Sequence, residues 1–139
     1  MTVHTCDFGA VEVLEWLPDA DAKRGVAVLL HAAASGAHAM TGLGRELAAD
    51  GWHAVAPALS GYGQTAVDRP ARGGGSDRLA EHVRVARWAI RTFSPTALFG
   101  HSMGGLVALR ASAPGFDGLL AVYEPIAMGL LDRDDERDR

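Results

Sequence analysis

The stretch LFGHSMGGLV, residues 98–107, sets one serine, Ser102, among three glycines at positions 100, 104 and 105 in an otherwise apolar run. Gly100-His101-Ser102-Met103-Gly104 has the spacing Gly-x-Ser-x-Gly, and it stands where a buried strand gives way to a helix. A serine on such a turn has its hydroxyl lifted above the strand ends at the cost of a strained backbone. Neighbours without side chains are then needed where strand and helix approach each other. The N–H groups at the start of the following helix point the same way and can stabilise an oxyanion. The five-residue pattern alone is a weak signal, and its strand-turn-helix context is what strengthens it. A glycine-rich turn with an incidental serine is the competing reading.

Working outward, TALFG (96–100) reads as the strand and LVALRASA (106–113) as the helix. Upstream, Leu79, Val83, Ala86, Ile90 and Phe93 form a helical stripe, with Arg84, Arg87 and Arg91 mostly off it. Ser76 is placed to cap that helix, and Ser94-Pro95 ends it. Before it lies a long connection, Ala58 to Gly75, containing SGYGQT and RGGGS; loops of this length are often functional. WHAVAP (52–57) and GVAVLLHA (25–32) read as further strands, the second apolar enough to be covered on both faces. Between them, Met40, Leu43 and Leu47 fall at helical spacing from His38 to Asp50, with Gly51 at the C-cap. The opening VHTCDFGAVEVLEW reads as a hairpin around Asp7-Phe8-Gly9, and GLLAVYEP (118–125) as a last strand.

A hairpin followed by alternating strands and helices predicts an α/β fold with a mostly parallel sheet and flanking helices. Residues 1–130 form the expected core domain and LDRDDERDR (131–139) a charged, solvated tail. The chain has 139 residues, enough for one domain, with 48% hydrophobic and 22% charged residues. A net charge of -4 offers no attraction to nucleic acid. No apolar run approaches the ~20 residues of a membrane span, and the start lacks the pattern of a signal peptide. One cysteine, Cys6, permits no internal disulfide. A cytoplasmic protein without membrane contact is the expectation.

In these residues the sequence resembles the α/β-hydrolase family. VLLHAAASGAHAM (28–40) is similar to the strand and loop of the oxyanion hole, and LAADGWHAVAPALSGYGQT (47–65) to the helix, strand and loop that follow. LFGHSMGGLVALRASA (98–113) is similar to the nucleophile elbow, and GLLAVYEPIAMGLL (118–131) to the next strand running towards a cap region. The resemblance implies that Ser102 is the nucleophile of a serine hydrolase acting on an ester-like small molecule. It implies that the backbone N–H groups of Met103 and Ala33 form the oxyanion hole. Two positions depart from the family: its loop commonly begins His-Gly, here His31-Ala32, and an aspartate often follows the strand's proline, here Ala58.

Serine needs a base to take its proton. In this family the partners follow as serine, acid, histidine, yet the six histidines, His4, His31, His38, His53, His82 and His101, all precede Ser102. His31 and His101 flank the expected site as candidate binding residues or loop anchors, and Glu124 is the candidate acid. The simplest expectation is the N-terminal part of a hydrolase, truncated after about the sixth strand, with that strand's exposed edge free to self-associate. A non-catalytic, hydrolase-like remnant is the alternative. No cofactor is implied, and no histidine and carboxylate spacing suggests a metal site. GLGREL (42–47) has Gly-x-Gly but lies within a helical pattern, which argues against dinucleotide binding.

Overall fold

Side chains of a strand alternate between its two faces, and here that alternation builds two cores. In the computed structural model, the described residues are 1–19, 24–66 and 75–126, with only the backbone described at 75–77. Strand β3 (Gly25–Leu30) turns Val28 and Leu30 into one fully buried cluster and Ala27 and Leu29 into the other. Strand β4 (Trp52–Pro57) does likewise, with Val55 on the first side and Ala54 and Ala56 on the second. The larger aliphatic side is covered by α2 (Gly75–Phe93) and α3 (Met103–Ser112). The alanine-rich side is covered by a 3-10 turn at Ala37–Met40 and by α1 (Thr41–Ala49).

The remaining strands are β1 (Thr2–Cys6), β2 (Gly9–Trp16), β5 (Ala97–His101) and β6 (Leu119–Tyr123). The sheet order is β1-β2-β4-β3-β5-β6. The hairpin β1-β2 joins β4 antiparallel, and β4, β3, β5 and β6 run parallel. This is the expected α/β architecture, with the hairpin adding the antiparallel part. The carboxyl ends of β3 and β5 lie side by side, in register through Leu30 and Gly100.

Two local readings are refined. The helix expected from His38 begins as the 3-10 turn, where the Thr41 hydroxyl donates to the His38 carbonyl at 2.6 Å. GLGREL falls within α1, so its glycines do not follow a strand. Helix α2 buries more than its predicted stripe, because Val85, Trp88 and Ala89 also enter the core. The tail at 131–139 and the Ser76 side chain lie outside the described residues.

Candidate active site

Strand β5 ends at His101 and α3 begins at Met103, so Ser102 alone makes the bend between them. Its backbone sits at φ 54, ψ -117, a region that costs a residue with a Cβ of order 1–3 kcal/mol. Four hydrogen bonds hold it there. The Ser102 N–H donates to the Tyr123 carbonyl at 2.9 Å, and the Ser102 carbonyl accepts from Gly105 at 2.9 Å, Leu106 at 3.2 Å and Ile126 at 3.3 Å.

The glycines follow from the same bend. A methyl at Gly100 would overlap the Gly104 carbonyl, and one at Gly104 would overlap the Leu30 carbonyl and lie 2.6 Å from that of His31. The first turn of α3 therefore rests directly on the ends of β5 and β3. Met103, as the first residue of α3, has an N–H without an intrahelical acceptor. Ser102 and Met103 are both half-buried.

The loop after β3 is built around His31, whose side chain is fully buried. Its Nδ1 lies 2.8 Å from the Ala32 carbonyl, and its Nε2 accepts the Leu59 N–H at 3.0 Å. That pairing requires the tautomer protonated on Nδ1. Burial holds the His31 pKa below its ordinary value against the opposing pull of the Ala32 carbonyl, and His82 and His38 lower it further. A neutral ring with both nitrogens engaged anchors the loop and leaves no ring atom for a ligand. Ala33 is exposed at the turn; Ala34 is left-handed at φ 59, and the Ser35 hydroxyl donates to the Ala32 carbonyl at 2.8 Å.

A residue missed in the sequence completes this loop. The Tyr62 hydroxyl accepts the Ala34 N–H at 2.9 Å, and its ring packs edge-on against His31 with centroids 4.6 Å apart. The loop bearing Tyr62 is itself tied to β2. The Ala58 N–H donates to the Glu12 carbonyl at 2.9 Å, and the Thr65 hydroxyl donates to the Ala58 carbonyl at 2.8 Å while accepting the Glu12 N–H at 3.1 Å. Backbone groups of Ala58 thus anchor the loop at the position where the family often has aspartate. The only sequence signal for Tyr62 is its place in SGYGQT.

The other candidates gather at the end of β6. His101 is half-buried and paired in register with Tyr123, their rings 5.3 Å apart and tilted. Glu124 is exposed, at φ 45, directly after Tyr123. Among the described residues, no imidazole or carboxylate is hydrogen-bonded to the Ser102 hydroxyl. His4 packs between Trp88 and Phe93, His53 bonds Glu15 at 2.9 Å, and the His82 ring stands 6.3 Å from that of Tyr62. Among the described residues, no group of three His, Cys, Asp or Glu side chains could hold a metal ion. No helix among them is long and apolar enough to cross a membrane.

Residues 21–119 match the protein family described as "Serine aminopeptidase, S33". No curated protein matches the sequence. Among solved structures, an α/β hydrolase from Sphaerobacter thermophilus is 20% identical with a TM-score of 0.71, over 89% of this chain and 45% of its own. A thioesterase domain from the curacin biosynthetic pathway is 21% identical with a TM-score of 0.72, over 90% of this chain and 46% of its own. An esterase from Exiguobacterium antarcticum is 20% identical with a TM-score of 0.66, over 91% of this chain and 46% of its own. The chain therefore spans less than half the length of these structures. With the family matched over most of its length and the fold shared with these enzymes, this chain belongs to the serine aminopeptidase family of α/β hydrolases.

Proposed function

We propose that this chain is the nucleophile-bearing part of a serine hydrolase that cleaves an ester or related acyl bond. The observation that carries the reading is the left-handed bend at Ser102, closed between β5 and α3 at Gly100 and Gly104, where an added methyl would overlap backbone carbonyls. In the proposed reaction the Ser102 Oγ attacks the acyl carbonyl and a base takes its proton. The tetrahedral oxyanion is stabilised by the N–H groups of Met103 and Ala33. Its collapse breaks the acyl bond, and the leaving group departs with a proton from that base. Water then hydrolyses the acyl-serine and restores the hydroxyl. The esterase and thioesterase among the similar structures support an acyl substrate.

The base is a histidine supplied by a segment beyond this chain, since none follows Ser102. Matches to less than half of each similar structure support that view of a partial enzyme. Glu124, next to the residue whose carbonyl binds Ser102, is the nearest candidate acid in sequence, and a later acid from the same further segment is its competitor. The non-catalytic reading draws on one observation: among the described residues the Ser102 hydroxyl has no imidazole partner. A fluorophosphonate probe separates the two. Applied to the product of the full open reading frame, labelling of Ser102 that vanishes in Ser102→Ala establishes an activated nucleophile, whereas a folded product that resists the probe is a remnant. Coding sequence downstream of residue 139 that contains an aspartate and a histidine would establish the partial-enzyme reading.

A further inference from the structure

Arg84, Arg87 and Arg91 recur on α2 at intervals of three and four residues, which places them in a row along one face of the helix. Together with Arg110 in the last turn of α3, and with Leu79 and Val83, they line an open groove of about 620 Å³ that has no carboxylate in its described lining. Among the described residues, none of Arg87, Arg91 and Arg110 has a carboxylate within 4.0 Å. Arg87 donates through Nη2 to the carbonyls of Arg110 and Ala113, each at 3.2 Å, which fixes its guanidinium and leaves the positive charge in place. Arg84 lies over the Phe8 ring, 5.1 Å from its centroid. A chain of net charge -4 thus gathers Arg87, Arg91 and Arg110 around one concavity, where like charges repel until an anion enters.

The shape selects among anions. A single phosphate would meet one or two of these side chains, whereas Arg87 and Arg91 stand one helical turn apart and Arg110 adds a third from the neighbouring helix. Neighbouring side chains in the row stand about 5–6 Å apart at Cβ, close to the ~6.6 Å repeat of side chains on one face of an extended peptide. Leu79 and Val83 continue the groove with apolar surface at its other end. We propose that this groove docks an extended acidic segment of a partner protein, with carboxylates on Arg87, Arg91 and Arg110 and an apolar side chain over Leu79 and Val83.

Titrating a short rhodamine-labelled peptide of alternating glutamate and leucine into the whole chain, read by fluorescence anisotropy, tests the proposal. Saturable binding that weakens with added salt is expected, and the same peptide with lysine for glutamate should not bind. Arg91→Glu should weaken binding by about fivefold or more. Arg45→Glu makes the same charge change on exposed α1, across the sheet, and should shift binding by less than about twofold. Both residues are exposed, and circular dichroism checks that each variant is folded. No binding, equal losses in the two variants, or equal affinity for a glutamate-alanine peptide that inorganic phosphate displaces would overturn the proposal. The last of these would leave a simple anion site.

Discussion

The Tyr62 hydroxyl accepts the Ala34 N–H at 2.9 Å, joining two loops 28 residues apart in the chain above the carboxyl ends of the sheet. Ala34 is held in a left-handed conformation on that bond, so the hydroxyl shapes the turn that presents the neighbouring Ala33 N–H. Tyr62→Phe keeps the ring against His31 and removes only the acceptor. A loss of about 0.5–1.5 kcal/mol in unfolding free energy is expected, with faster hydrogen exchange at the Ala34 amide. Unchanged exchange at that amide would show that the loop holds its shape without the bond.

Two glycines of helices should respond oppositely to alanine. Gly104→Ala drives a methyl into the Leu30 carbonyl, a backbone atom that cannot swing away, so a loss of about 3 kcal/mol or more is expected. A methyl added at Gly42, in α1, would meet nothing within 4 Å, and Gly42→Ala should gain up to about 1 kcal/mol from reduced backbone entropy. Urea denaturation of both variants checks the pair, and similar effects in the two would contradict the packing described.

Acid should weaken the fold through His31 and His82, both of whose pKa values burial lowers from 6.5. Below that value the unfolded chain takes up protons that the folded chain resists. Stability is therefore full above pH 6.5 and is lost as pH falls from there towards the lowered folded values. Urea midpoints at about pH 7.5 and about pH 5.5 should fall in that order, and His82→Gln should reduce the difference. A midpoint that rises on acidification would reverse the sign of the argument.

Among the described residues, strand β6 is one edge of the sheet, with Leu119 65% and Tyr123 58% exposed. An apolar edge of this kind recruits other strands. Concentration-dependent association is expected in sedimentation velocity, and Leu119→Lys should suppress it. A monodisperse monomer at high concentration would show that the edge is protected.

Much of this is legible in the sequence because its signals are local. The alternation of apolar runs with helical stripes announces the α/β layers, and the glycines around Ser102 mark a bend that only small residues permit. Strand order is not legible, since nothing in residues 9–16 says that they pair with β4 in preference to β3. The breadth of α2's buried face is hidden too, because Val85, Trp88 and Ala89 fill space created by α3 and the sheet together. Tyr62 can be placed in a suspect loop but not matched to Ala34, because a hydroxyl meeting a distant amide leaves no periodic trace. For His31 a loop-anchoring role is one of the two readings the sequence allows, and burial with both nitrogens engaged supplies its physical basis.

Ser102 is fastened through its own N–H and carbonyl to Tyr123 and Ile126, which are still to be synthesised when the serine is added. On the ribosome, a nascent chain that ends before residue 123 lacks two of the four clasps on that bend, and one that ends before residue 126 lacks one. Translation must therefore run on by at least that far before the bend at Ser102 is fully braced.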